Sequence, residues 1–199
     1  MITFKQFLTE AQRNKIILID FQPSYEKQQG YDNALSAACS YINNNPNIEV
    51  IAFYNGAESG VEDDEYQVKE HYLEYGLLED KLDNIEFVEK TYAFLRSWMD
   101  QGVDDSIIIQ TLRHMLIHHL NSSDEIELEQ LQHIIGDNWD AEELNRDPIY
   151  FTDLPIVQLK TFSNALMGGG AHDLCFREIQ LLLSVFNIKN KEVQEWIYN

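Results

Sequence analysis

Residues 15–22, KIILIDFQ, are almost continuously apolar until Asp20. A run without polar alternation is the pattern of a strand buried on both faces. Residues 31–45 follow with helical spacing: Ala34, Leu35, Ala38, Tyr41 and Ile42 share one face, and Asn45-Pro46 ends the pattern. Residues 48–56, IEVIAFYNG, form a second buried run that closes in a turn. Strand, helix and strand in that order predict a right-handed parallel unit.

Beyond it, residues 58–76 begin as an acidic loop and become a helix closed by Gly76, and residues 84–90 predict a third strand. Residues 91–102 read as an aromatic-rich helix whose Phe94, Leu95, Trp98 and Met99 belong to the core. Residues 104–120 predict a helix capped by Asp104 or Asp105, and 122–136 another capped near Ser123 or Asp124. A fourth strand is expected at 147–155. The Ile156, Leu159, Phe162, Leu166 spacing favours helix over 156–168. A long helix over 171–186 and a strand over 191–198 complete the pattern. The expectation is an α/β fold, a mostly parallel Rossmann-like sheet with a helical insertion at about 104–145. Residues 12–199 then form a single domain, behind an amphipathic leader or N-terminal helix at 1–11.

Charge narrows the classes of partner. The formal net charge is −20, which argues against general nucleic-acid binding and against docking on an anionic membrane. A small molecule or a protein remains as partner, with the oligomeric state open. Cys39 and Cys175 are the only cysteines and have no metal-ligand spacing. MITFKQFLTEA lacks the apolar centre of a secretory signal, so the chain is expected to stay inside a cell or a particle assembled there.

Ligands of open α/β sheets gather beyond the carboxyl ends of the strands. Asp20, Asn55, Lys90 and Asp153 each stand at such an end, with Arg96 as a further anion ligand. Gly168, Gly169 and Gly170 lead into a helix whose first residues are Ala171, His172, Asp173 and Cys175. One reading is a turn closing the preceding helix, with Cys175 buried. The other is an anion or oxyanion site, in which the helix N-terminus lowers the Cys175 pKa and His172 or Cys175 is active. Neither nucleotide-binding glycine pattern is present.

Two resemblances sharpen these readings. MITFKQFLTEA resembles the capsid-targeting leader of large tailed bacteriophage proteins, with Leu8-Thr9-Glu10 as the protease site and Ala11 as the new N-terminus. That resemblance implies a phage-encoded protein in the cytoplasm of an infected bacterial host, open to packaging in the virion head, and not secreted. IILIDFQPSY, FVEKTYAFLRSWMDQGV and GAHDLC resemble three segments of the isochorismatase-like cysteine hydrolases. The resemblance implies Asp20 as general base, Lys90 as its partner and Cys175 as nucleophile, acting on a small amide or ester with no cofactor. It departs at Ala171, where the family carries Thr, and in a longer Lys-to-Cys interval, for which the helical insertion offers room.

Other readings stay open. LIDF, GVDDSIIIQTL and YFTD resemble the acidic positions of PIN-like nucleases, which implies Mg²⁺ or Mn²⁺ held by Asp20, Asp105 (or Asp104) and Asp153. A non-catalytic protein that binds a host or phage protein is the third. His114, His118 and His119 read as exposed histidines near a helix end, because HMLIHH lacks the glutamate of HExxH.

Overall fold

The structure is a computed structural model that describes residues 15–56, 63–90, 98–119, 156–199 and the short pieces 129, 132–133 and 136–137, with backbone alone at 114–119 and 156–157. The predicted leader, the strand at 147–155 and most of the helix at 122–136 lie outside the described residues. Five strands form one sheet in the order β3-β2-β1-β4-β5, with every pairing parallel. They are β1 (Lys15–Ile19), β2 (Glu49–Asn55), β3 (Ile85–Lys90), β4 (Ala165–Gly169) and β5 (Asn190–Ile197). The fold is therefore α/β with a Rossmann-like parallel sheet.

The helices are α1 (Tyr31–Asn43), α2 (Glu65–Glu74), α3 (Asp105–His119) and α4 (Arg177–Val185). Alternate residues of the central strands point to opposite faces, and each face has its own core. Ile16, Leu18, Val50 and Ala52 pack with Leu35, Ala38, Cys39 and Ile42 of α1 and with Val68 and Tyr72 of α2. Ile17, Ile19, Ile51 and Phe53 pack with Phe176 and with Ile179, Leu182 and Leu183 of α4. Burial on both sides explains why β1 and β2 read as unbroken apolar runs.

Local signals set the helix limits. Asp64 caps α2 in a full capping box, its carboxylate accepting from Gln67 N–H while Gln67 Oε1 accepts from Asp64 N–H, each at 2.8 Å. Gly76, at φ +89°, ends the segment as expected.

The expected helix over 156–168 is corrected. Residues Ile156–Leu159 and Lys160–Phe162 make short helical turns, but Ala165–Gly169 is the strand β4, hydrogen-bonded between β1 and β5. The expected helix over 171–186 is also divided, into a π turn His172–Phe176 and α4. After β3 the chain returns to the other side of β1, so β1 and β4 flank the point where strand order reverses, the place at whose carboxyl ends open α/β sheets bind their ligands. Among the described residues, no helix is long and apolar enough to cross a membrane.

Candidate active site at the carboxyl ends of the strands

Asp20 follows β1 directly and adopts φ +57°, a left-handed conformation uncommon for a residue with a side chain. Its backbone is tied on both sides: the N–H donates to Phe53 O at 2.8 Å, and the carbonyl accepts from Tyr198 Oη at 2.5 Å. These ties to β2 and to the residue just past β5 hold the strained turn, which accords with strain gathering at functional positions.

Lys90 ends β3 two strands away, and its ammonium reaches Asp20 in the interior. The Lys90 Nζ donates to Asp20 Oδ2 at 2.7 Å and lies 2.6 Å from Oδ1, which accepts no well-aligned hydrogen bond. Each residue is 1% exposed. Burial alone would push the Lys90 pKa down; the negative charge of Asp20, Cys175 and Glu178 and the Asp20 hydrogen bond outweigh it and hold the pKa above the ordinary value.

Cys175 lies in the π turn after β4 and is half-buried. Burial pushes its thiol up to about 12; Lys90 pulls it down, while the charge of Asp20, a hydrogen bond with Asp20 and the charge of Glu178 raise it further. The lowering expected from the helix N-terminus is thus reversed in the resting protein. Desolvation and a neighbouring carboxylate outweigh the field of one turn. The free site holds a protonated thiol beside a carboxylate that is paired with an ammonium, an arrangement able to pass the thiol proton to Asp20.

The three glycines answer to packing. The expectation that they cap a preceding helix is corrected, since Gly168 and Gly169 are residues of β4. A Cβ on Gly168 would overlap the Trp196 Cβ, and one on Gly170 would overlap the Tyr198 ring. Gly169 combines φ +126° with a Cβ position that falls on the backbone of Ile19. The glycines let β4 lie against β1 and let the aromatic end of β5 cross it. Gly170 N–H is occupied by Ile19 O at 3.2 Å.

The other candidates divide. Asn55 joins the site, with its amide donating to Tyr25 Oη at 2.8 Å. Ala171 starts the π turn as its N-cap. His172 and Asp173 face outward and pair with each other, Nδ1 to Oδ1 at 2.9 Å, with the imidazole stacked on Phe176. Arg96 and Asp153 lie outside the described residues. Asp105 is paired at 2.6 Å with Arg177, so Asp20 and Asp105 of the nuclease reading are each matched to a basic side chain. Among the described residues, no cluster of three His, Cys, Asp or Glu side chains could hold a metal ion.

Four site residues escaped the sequence reading. Gln22, 0% exposed, brackets the Asn55 backbone and donates to Asp63 Oδ2 at 2.7 Å. Tyr25, Glu178 and Tyr198 complete the surroundings of Asp20, Lys90 and Cys175. Gln22 and Tyr25 fall within the quoted segment around Asp20, and Glu178 follows Cys175 by nearly one helical turn. Comparison of the chain with protein-family models, curated proteins and solved structures gave no match.

Proposed function

We propose that the protein is a cysteine hydrolase of the isochorismatase-like kind, acting on a small amide or ester. The observation that supports this reading is the convergence of Asp20, Lys90 and Cys175 from the ends of β1 and β3 and the turn after β4. Asp20 accepts the proton of the Cys175 thiol, and the sulfur forms a bond to the substrate carbonyl carbon. Lys90 pairs with the carboxylate before that transfer and remains beside it after the proton arrives. Collapse of the adduct breaks the bond to nitrogen or oxygen, and the leaving group takes the proton from Asp20. Water then cleaves the thioester, giving the acid and restoring the thiol. The leader resemblance extends the reading to an enzyme encoded by a phage and made in the infected cell.

The test is a panel of small amides and esters, with acid quenching and mass analysis of the Cys175 peptide. An acyl adduct on Cys175, together with turnover lost in both Cys175→Ser and Asp20→Asn, is the expected result. A Cys175 that takes no acyl group from any member, and turns over none, would sink the reading.

A further inference from the structure

Asn55 ends β2 in register with Lys90 of β3, and its backbone is closed off by a single side chain. Its N–H donates to Gln22 Oε1 at 2.7 Å, and its carbonyl accepts from Gln22 Nε2 at 2.9 Å. Only the side-chain amide remains to act on the site, and it donates to Tyr25 Oη at 2.8 Å.

The segment carrying Tyr25 is anchored at several points. Gln22 Nε2 also donates to Asp63 Oδ2 at 2.7 Å, Ser24 N–H donates to the same oxygen at 3.1 Å, and Tyr25 N–H donates to Gln22 O at 3.1 Å. Tyr31 Oη donates to Gln22 O at 3.0 Å. A phenol held in this way loses little freedom when it engages a ligand.

The direction of the Asn55 hydrogen bond decides the phenol's role. Oη is the acceptor, so Tyr25 keeps its own proton to give, and among the described residues no group accepts it. The ring is half-buried, and the hydroxyl lies within the fields of Asp20, Cys175 and Lys90. Burial first, then the charges of Asp20 and Cys175, keep its pKa above the ordinary tyrosine value, so at neutral pH it is a neutral donor. An oxyanion needs a donor set in place before charge develops. The Gly170 N–H cannot serve, because Ile19 O holds it.

We propose that the Tyr25 hydroxyl donates a hydrogen bond to the substrate carbonyl oxygen, and to the oxyanion formed when Cys175 adds to it, with Asn55 as its positioning residue. This rests on the hydrolase reading and adds to it the group that recognises the carbonyl.

The experiment compares two reagents on the intact protein. 4-Nitrophenyl acetate acylates a thiol through an oxyanion; 2-iodoethanol alkylates a thiol without one. The native protein should release a burst of nitrophenolate that Cys175→Ser lacks. Tyr25→Phe should acylate more slowly by about 100-fold, the scale of losing one oxyanion donor, and alkylate at an unchanged rate. Asn55→Ala, which leaves the phenol in place but unaimed, should show a smaller loss of the same kind. Equal losses with both reagents in both variants would mark a structural role and overturn the proposal, as would full acylation by Tyr25→Phe. Absence of Cys175-dependent acylation in the native protein would instead overturn the hydrolase reading, and this proposal with it.

Discussion

Lys90 meets Asp20 through both carboxylate oxygens, at 2.6 and 2.7 Å, in a place where neither residue is more than 1% exposed. The ends of β1 and β3 are joined by this pair across β2, which lies between them. Charges so deeply buried are tolerable only together, and their removal one at a time is therefore informative.

Lys90→Met should destabilise the protein by about 3–5 kcal/mol, since it strands an anionic carboxylate in the interior. Adding Asp20→Asn to it should recover part of that loss. Urea unfolding of the two single variants and the double variant closes the cycle, and additive losses would contradict a coupled pair.

The Cys175 thiol should alkylate slowly at neutral pH and accelerate as pH approaches about 12, to which burial first, and then Asp20, raise it. Asp20→Asn removes a raising influence and leaves the lowering charge of Lys90, so the variant expected to lose turnover under the proposed function should speed alkylation at pH 8. Rate profiles against pH for the native and Asp20→Asn proteins check this; a slower variant would reverse the assignment of charges around the thiol.

The same shift has a consequence for stability. A thiol whose pKa rises on folding from the ordinary 9.0 to about 12 favours the folded state fully below pH 9, and that contribution is lost between 9 and about 12. Lys90, raised from 10.5, loses its contribution in the same direction as pH climbs through its folded value. Urea midpoints should therefore decline above pH 9, and Cys175→Ala should make that decline shallower. Cys39, also pushed up to about 12 by burial, accounts for part of the remainder.

His71 governs the acid side. Its ring is 3% exposed and shares a 2.9 Å hydrogen bond with Tyr31 Oη; burial lowers its pKa against the opposing pull of Glu26, Glu74 and Asp63. Because the unfolded histidine takes a proton near pH 6.5 and the folded one resists, this contribution is complete above about 6.5 and falls as pH drops through the folded value. His71→Gln, which keeps polar atoms and does not titrate, should flatten the stability curve below about pH 6.5.

Gly169→Ala should cost at least about 2 kcal/mol, combining strain at φ +126° with overlap on the Ile19 backbone. Gly76→Ala has φ +89° and nothing within 4 Å of the new carbon, so it carries the conformational cost alone, about 1 kcal/mol. Thermal melts of the two variants should rank in that order.

These glycines also mark where the sequence was hard to read. The strands β1, β2 and β3 and the helix α1 were legible because burial on two faces leaves apolar runs and single-faced burial leaves helical spacing. Asp20, Asn55 and Lys90 were legible as polar residues ending those runs. The strand β4 was not: ALMGG has little β-forming composition, and Ile156, Leu159, Phe162 and Leu166 imitate a helical face. Its glycines answer to Trp196, Tyr198 and Ile19, neighbours that only the tertiary fold supplies. The Cys175 pKa was misjudged for a related reason. Its position in a first turn is a local fact, whereas its burial and its contact with Asp20 are not. Gln22 and Tyr25 stood in plain view, but their importance depends on the end of β2 arriving beside them.

The strand order bears on how the site comes into being. Asp20 and Lys90 both belong to the stretch from β1 to β3, while Cys175 follows β4, which must pair with β1 from far along the chain. Contacts between distant residues form late and slowly in parallel sheets. An early folding species built from β1, β2 and β3 would contain the carboxylate and its ammonium but present an unfilled edge of β1, open to pairing with another molecule. Cys175 then arrives with the segment that closes this edge, so protection from aggregation and completion of the Asp20, Lys90 and Cys175 cluster are one folding event.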